Sequence, residues 1–200
     1  MNAALLFVDI DTQHDFIDSD GKLSVPCAES LVDSLRRLTD FAEREGIPIL
    51  SSADAHGPDD PEFAQFPPHC LAGSKGQRKL AETLVEAPVI VPVSGDGLPA
   101  EQPPQTIVEK VTFSMFSNPA VDAYLDRFAP ARSVVYGVAT DYCVRQAVEG
   151  LVARAIPVTV VVDAIAGVTA EGSRAALEAF GRAGVTLATT DEVVADRASA

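Results

Sequence analysis

The sequence predicts an α/β domain with three layers, in which helices cover both faces of a mostly parallel, Rossmann-like sheet. Strand-like and helix-like hydrophobic patterns alternate along all 200 residues. Residues 158–162 form a continuous run rich in valine, which is typical of a strand buried on both faces. Because no linker or change of composition divides the chain, we expect one domain over residues 1–200.

The individual elements are predicted in a regular order. The first half of the chain predicts a strand at 4–10, a helix at 28–44 that Gly46 would end, and a short strand at 47–50. A long loop rich in Gly, Pro, Asp and His follows at 51–76, and such loops tend to be functional. The remaining predictions are strands at 89–93 and 106–110, a helix at 119–128 with Asn118 as its N-cap, a strand at 133–136, a helix from near Thr140, a strand at 158–162, a helix at 169–182, a strand at 185–187 and a helix at 190–197.

Composition excludes several classes of protein. Hydrophobic residues make up 47% and charged residues 22%, which is ordinary for a globular domain. The formal net charge of -14 argues against nucleic acid as a partner. No apolar run is long enough to span a bilayer, and the first residues lack the features of a signal peptide. The three cysteines, Cys27, Cys70 and Cys143, do not make a disulfide framework, so we expect a reducing cytoplasm.

Cys143 is the candidate nucleophile. It follows a predicted strand and Gly137, and it lies in the first turn of the next predicted helix. Unpaired backbone N–H groups and the positive end of the helix dipole favour a thiolate there and could hold an oxyanion. The alternative is that Cys143 is a small buried hydrophobic residue, as most free cysteines are.

Two charged residues at the ends of other predicted strands could assist this cysteine. Asp11 could act as the base if burial brings its pKa toward that of the thiol. Asp9 is a rival, because strand alternation places the two aspartates on the same face. Lys110 could hold the aspartate and stabilise developing negative charge. The alternative for Asp11 is a structural role in a turn, and the alternative for Lys110 is a solvated surface position. However, ligands of open α/β sheets bind where the strands end, so these residues could meet in one crevice.

The long loop carries a candidate metal site. Mixed nitrogen and oxygen ligands for zinc, iron or manganese come from four residues: Asp54, His56, Glu62 and His69. The alternative is a polar surface loop with scattered histidines. Phe66 of this loop and Phe16 could form an aromatic wall for a planar ligand, or they could pack in the core.

These segments resemble, in order, the motifs of the nicotinamidase branch of the isochorismatase-like cysteine hydrolases. Residues 11–16, DTQHDF, are similar to the family's D-x-Q-x-D-F opening, which favours Asp11 over Asp9. Residues 54–56 and 66–69 resemble its metal loop. Lys110 matches the family lysine, and residues 137–144 resemble the nucleophile segment. The resemblance covers nearly the whole chain.

The resemblance implies a role for each candidate residue. The catalytic residues would be Asp11, Lys110 and Cys143, and the backbone N–H groups of Ala139 and Cys143 would form an oxyanion hole after a cis peptide bond. Three residues would bind the substrate: Phe16, Phe66 and Val138. Four would hold a divalent metal ion, zinc with iron or manganese as alternatives: Asp54, His56, His69 and, in place of a third loop histidine, Glu62.

The activity that the resemblance implies is the hydrolysis of nicotinamide to nicotinic acid and ammonia through a cysteine thioester. We expect the protein to act on this small molecule in the cytoplasm as a homo-oligomer. Three alternatives stay open. They are a hydrolase of another small amide or carbamoyl compound, a hydrolase in which the metal does the chemistry and the cysteine is structural, and a non-catalytic binding protein on the same fold.

Overall fold

A computed structural model describes residues 5–196 of the chain. Its seven strands are β1 Leu5–Ile10, β2 Ile49–Asp54, β3 Val89–Val91, β4 Gln105–Lys110, β5 Arg132–Val138, β6 Val158–Ala166 and β7 Thr186–Ala188. Its α-helices are α1 His14–Ile17, α2 Val32–Glu45, α3 Pro119–Phe128, α4 Cys143–Ala153, α5 Ala170–Arg182 and α6 Thr190–Asp196. All neighbouring strands are parallel, in the order β3-β4-β2-β1-β5-β6-β7.

The central strand β1 shows why helices cover both faces of the sheet. All six of its residues are buried, and successive side chains point to opposite faces. Leu5 and Phe7 pack into one hydrophobic core with residues of α2. Leu6 and Val8 pack into a second core with residues of α3 and α4. The predicted three-layer arrangement with a parallel sheet is confirmed.

Local signals end and begin the helices where the sequence predicts. Gly46 adopts a left-handed φ of 63° after α2, and its N–H donates to the last carbonyls of that helix. The Asn118 side chain accepts a hydrogen bond from the N–H of Ala120 at 2.9 Å and caps α3. Thr169 caps α5 in the same way, accepting from the N–H of Gly172 at 2.9 Å.

Several predicted boundaries are wrong, chiefly where strands continue through polar residues. β2 runs to Asp54, whereas the predicted long loop began at Ser51. Ser51 and Ser52 can be fully buried because their hydroxyl groups bond to the buried aspartates Asp9, in β1, and Asp11, just after it. β6 likewise continues beyond its valine run to Ala166, and β7 lies one residue later than predicted. The predicted start of the first strand, at residue 4, and the predicted end of the last helix, at residue 197, lie outside the described residues.

The first helix, α1, was not predicted because it has only four residues. It follows β1 directly and contributes Phe16 to the carboxyl edge of the sheet. Among residues 5–196, no helix is both long enough and apolar enough to cross a membrane.

Candidate active site

A pocket lies at the carboxyl edge of the sheet, where β1, β2 and β5 end. Its wall contains every predicted site residue except Lys110 and His56, which are themselves completely buried. The residues come from separate strands and from the long loop, and they meet because parallel strands end at the same edge. The structure therefore brings together all of the residues that the sequence assigned to catalysis, substrate and metal.

Lys110 connects the other two candidate catalytic residues. Its Nζ atom lies 2.8 Å from Oδ2 of Asp11 and 3.8 Å from Sγ of Cys143. The same ammonium group also bonds to Oδ1 of Asp54. All four side chains are buried. The carboxyl group of Asp11 and the thiol of Cys143 thus both contact the ammonium group of Lys110, although the three residues come from different parts of the fold.

The backbone at Asp11 decides which aspartate faces the pocket. Asp11 has a left-handed φ of 50°, so the alternation of β1 stops there. Its carboxylate accepts a hydrogen bond from Ser52 at 2.6 Å, whereas Asp9 accepts one from Ser51 at 3.1 Å. Because successive residues of β2 point to opposite faces, the two aspartates lie on opposite faces. The prediction of a shared face is wrong, and Asp9 pairs instead with Lys79 at 2.9 Å.

Burial controls the protonation of the reacting groups. It raises the pKa of the Asp11 carboxyl above its usual value, and Lys110 offsets this effect only in part. It raises the pKa of the Cys143 thiol well above its usual value, again against the opposing influence of Lys110. This direction is opposite to the lowered pKa that the helix N-terminus led us to expect. The raised pKa of Cys143 favours its thiol form, and the raised pKa of Asp11 makes its carboxylate a stronger base than an exposed one.

Burial alone would lower the pKa of Lys110, but the charges of Asp11 and Asp54 outweigh it and raise this pKa well above its usual value. Lys110 is therefore a permanent cation between two carboxylates. A group that stays charged can stabilise negative charge nearby, but it cannot exchange protons with the thiol near neutral pH.

Ala139 and Cys143, whose N–H groups are the candidate oxyanion hole, both line the pocket. The peptide bond between Val138 and Ala139 is cis, as the resemblance implies. Cys143 is the first residue of α4, where backbone N–H groups have no intrahelical acceptor. Within the described part of the chain, neither the Ala139 nor the Cys143 N–H has a backbone acceptor. Both are available to an oxyanion.

Asp54, His56 and His69 form a cluster that fits a divalent metal ion. One ligand atom from each lies within 4.8 Å of the others, and all three residues are buried. Neither ring nitrogen of His56 has a hydrogen-bond partner among the described residues, and a metal ion at Nε2 would satisfy one of them. Burial alone would lower the pKa of His56, but Asp54 and Asp60 outweigh it and raise this pKa to about 9. The set of two nitrogen donors and one oxygen donor suits zinc and similar ions.

The second ring nitrogen of each histidine lies close to an oxygen. Nδ1 of His56 lies 3.0 Å from a carboxylate oxygen of Asp60, and Nδ1 of His69 lies 2.9 Å from the carbonyl oxygen of Pro67. Such contacts leave Nε2 to face a metal. Glu62 lies beside this cluster, with Oε1 3.9 Å from Nε2 of His69, but it does not join the mutually close set of three. Its role as fourth ligand stays a prediction.

Apart from Ser24, the rest of the pocket wall is aromatic or aliphatic, and part of it was not predicted from the sequence. Phe16 lies against His69, with ring centroids 5.4 Å apart. The Phe66 ring contacts the rings of Phe113 and Tyr142, at 6.0 and 6.4 Å. Phe113 comes shortly after the end of β4, and Tyr142 comes immediately before Cys143. Their nearness to candidate catalytic residues in the sequence was the only signal that could have identified them. Within the described residues, no lysine or arginine lines the pocket.

Comparisons with known proteins identify the family of this chain. Residues 95–192 match the Isochorismatase domain family. The chain is 31% identical to a nicotinamidase/pyrazinamidase of Mycobacterium tuberculosis, over 92% of this chain and 97% of the relative. It is 29% identical to a protein of Arabidopsis thaliana named a probable inactive nicotinamidase, over 85% and 83% of the two chains.

A solved structure has a similar fold. The N-carbamoylsarcosine amidase of Thermoplasma acidophilum superposes with a TM-score of 0.77 at 26% identity. The match covers 94% of this chain and 97% of that one.

Proposed function

The chain belongs to the isochorismatase-like hydrolase family, and from this premise we propose that it hydrolyses a small, neutral aromatic carboxamide, with nicotinamide as the first candidate. The products would be the carboxylic acid and ammonia. The observation that carries the proposal is that Lys110 contacts both Asp11 and Cys143, and that these two residues line a pocket whose remaining wall is largely apolar.

The reaction would begin with proton transfer from the thiol of Cys143 to the carboxylate of Asp11. The sulfur attacks the amide carbonyl carbon, and the resulting oxyanion accepts hydrogen bonds from the N–H groups of Ala139 and Cys143. Asp11 returns the proton to the departing nitrogen, so ammonia leaves and a thioester remains. A water molecule, deprotonated by Asp11, then attacks the thioester, and the acid and the free thiol are released. Lys110 keeps its charge throughout and stabilises the carboxylate form of Asp11.

Asp54, His56 and His69 would hold a divalent metal ion, with Glu62 as a candidate fourth ligand. When bound, such an ion supplies a Lewis acid that can take a ring nitrogen and so orient a pyridine. The side chains of Phe16 and Phe66 would bind the ring by packing against it.

The charges of the pocket favour a neutral substrate over a carbamoyl amino acid. Asp11, Asp54 and Glu62 contribute acidic groups to the wall, whereas Lys110, the cation that Asp11 and Asp54 share, does not line the pocket. The carboxylate of N-carbamoylsarcosine, the named substrate of the Thermoplasma relative, would lose its hydration without gaining a lysine or arginine partner from the described residues of this wall. Another neutral amide of similar size, such as pyrazinamide, is the second candidate.

A panel of amides tests the proposal through released ammonia. Nicotinamide and pyrazinamide should be turned over by the metal-loaded protein, and N-carbamoylsarcosine should not. Preferential turnover of the anionic compound would reverse the choice of substrate. A protein that releases no ammonia from any of them would favour the non-catalytic alternative, to which the Arabidopsis relative's name draws attention.

Cys143→Ala should abolish ammonia release without loss of the fold. The matched control is Cys70→Ala, because Cys70 is also a buried cysteine but does not line the pocket. The control should keep its activity, and circular dichroism should show both variants folded. If Cys143→Ala still turns over the amide and the activity disappears on chelation, the metal would do the chemistry and the cysteine would be structural.

A further inference from the structure

We propose that Ser52 is a positioning residue that fixes the carboxylate of Asp11 for proton transfer. The inference rests on the proposed hydrolysis by Cys143, and it assigns a role to a residue that no motif of the sequence singled out. Ser52 lies in the part of β2 that the sequence predicted to be a loop, so its side chain had no predicted partner.

Ser52 holds Asp11 at two points. Its Oγ atom donates a hydrogen bond of 2.6 Å to Oδ1 of Asp11, and its carbonyl oxygen accepts one of 3.2 Å from the N–H of Asp11. Both residues are completely buried. The second carboxylate oxygen, Oδ2, lies 2.8 Å from Nζ of Lys110. Because the two oxygens are held from different strands, the carboxylate cannot rotate without losing one of these contacts.

This contact has a chemical consequence. A hydrogen bond donated to a carboxylate favours its ionised form, so Ser52 keeps Asp11 ionised at a lower pH than burial alone would allow. The other groups that face Asp11 are Lys110 of β4, Asp54 of β2 and the thiol of Cys143 at the start of α4. Replacing Ser52 leaves all three side chains in place.

The neighbouring residue provides a matched control. Ser51 is also completely buried in β2, and it donates a hydrogen bond of 3.1 Å to Asp9. Asp9 in turn forms an ion pair with Lys79 at 2.9 Å. Both serines therefore bind a buried aspartate that has a lysine partner, but only Asp11 lines the pocket.

The experiment compares Ser52→Ala with Ser51→Ala in the metal-loaded protein. We measure kcat and KM for nicotinamide across a range of pH, together with the midpoint of thermal unfolding. Ser52→Ala should lower kcat by about 10- to 100-fold, with KM changed less than about threefold, because a hydrogen bond to a charged group is lost. The acid limb of its pH profile should move to higher pH, since Asp11 then ionises less readily. Ser51→Ala should keep the wild-type kcat and acid limb.

Rescue separates the hydroxyl group from the packing. Ser52→Thr keeps the hydroxyl and should retain kcat within about threefold, whereas the nearly isosteric Ser52→Val should behave like Ser52→Ala. The Thr and Val pair also replaces Ser52→Ala if that variant unfolds. Wild-type kcat and pH profile in Ser52→Val, or the same loss in Ser51→Ala, would overturn the assignment.

A second readout needs no substrate and so separates this inference from the choice of amide. In a Cys27→Ala background, which removes the exposed cysteine, we follow alkylation of Cys143 by iodoacetamide with mass spectrometry of the modified peptide. Deprotonation of the thiol by Asp11 should require a higher pH in Ser52→Ala than in the wild type or in Ser51→Ala. Coincident pH profiles for all three proteins would refute the positioning role, even if nicotinamide proved not to be the substrate.

Discussion

Replacing Lys110 by methionine should destabilise the fold, because two buried carboxylates would lose their shared cation. Nζ of Lys110 lies 2.8 Å from Asp11 and also bonds to Asp54, and none of the three is exposed by more than 4%. Removing one partner of a buried ion pair costs about 3–5 kcal/mol. At about 2–4 °C per kcal/mol for a chain of this size, the unfolding midpoint should fall by about 6–20 °C.

Thermal unfolding followed by circular dichroism, with chelator present throughout, measures this effect at constant metal content. The control is Lys75→Met, because Lys75 pairs with Asp18 at 3.3 Å and its side chain is 70% exposed. Such surface pairs contribute about 0–1 kcal/mol, so the control midpoint should move by no more than a few degrees. Equal midpoints for the two variants at neutral pH would refute the role of Lys110 as a buried counter-ion.

The pH dependence of the same variant gives a second measurement. Without Lys110, burial should hold the folded-state pKa values of Asp11 and Asp54 above those of the unfolded chain. A carboxyl group of this kind costs stability once the pH exceeds its unfolded pKa, which is about 4. The deficit of Lys110→Met relative to the wild type should therefore be smallest near pH 4 and grow toward neutrality. A deficit that shrinks as the pH rises would contradict this reasoning.

Two further substitutions test the metal loop and the sheet. Asp60→Ala should weaken zinc binding by about 10- to 100-fold, because Asp60 lies beside Nδ1 of the candidate ligand His56. Competition with a chelating dye measures the affinity. Asp59→Ala changes an exposed neighbouring residue and should leave the affinity unchanged. Equal affinities would remove Asp60 from the metal site. Gly137→Ala should lower the soluble yield and unfolding midpoint sharply, because Gly137 has a φ of 113° and an added Cβ would lie 2.0 Å from the carbonyl oxygen of Ile10. Gly181→Ala, where a Cβ meets nothing within 4 Å, is the control, and equal midpoints would show that the two central strands tolerate a side chain there.

Hydrophobic periodicity was sufficient to predict the existence of the main elements. Every predicted strand and helix has a counterpart among the described residues, because buried apolar runs and caps such as Asn118 are local signals. The strand order was not predictable, since it depends on how the crossovers pack and not on any one segment. The homo-oligomeric state and the cytoplasmic location stay predictions.

Polar strand ends were the main source of boundary errors. Ser51 and Ser52 look like loop residues in the sequence, yet they lie in β2 and are completely buried. Their burial is favourable because Asp9 of β1 and Asp11, just after β1, accept their hydroxyl hydrogens, and that pairing joins residues about forty positions apart. Phe113 and Tyr142 were missed for a similar reason, because an aromatic residue in a loop carries no periodic signal until the tertiary structure places it at a pocket.

The sequence pattern alone could not predict which of Asp9 and Asp11 lies at the site. Alternation along an extended strand places them on one face, and only the resemblance to a family separated them. The left-handed backbone of Asp11 turns its side chain to the face where Lys110 and Cys143 lie, while Asp9 stays paired with Lys79 on the other face. A non-glycine residue holds this conformation at some energetic cost, and the buried contacts of its carboxylate offset that cost. Asp11, the residue that departs from the strand alternation, is thus the one that the proposed hydrolysis requires. Predictions from local sequence patterns are expected to fail at such functional positions.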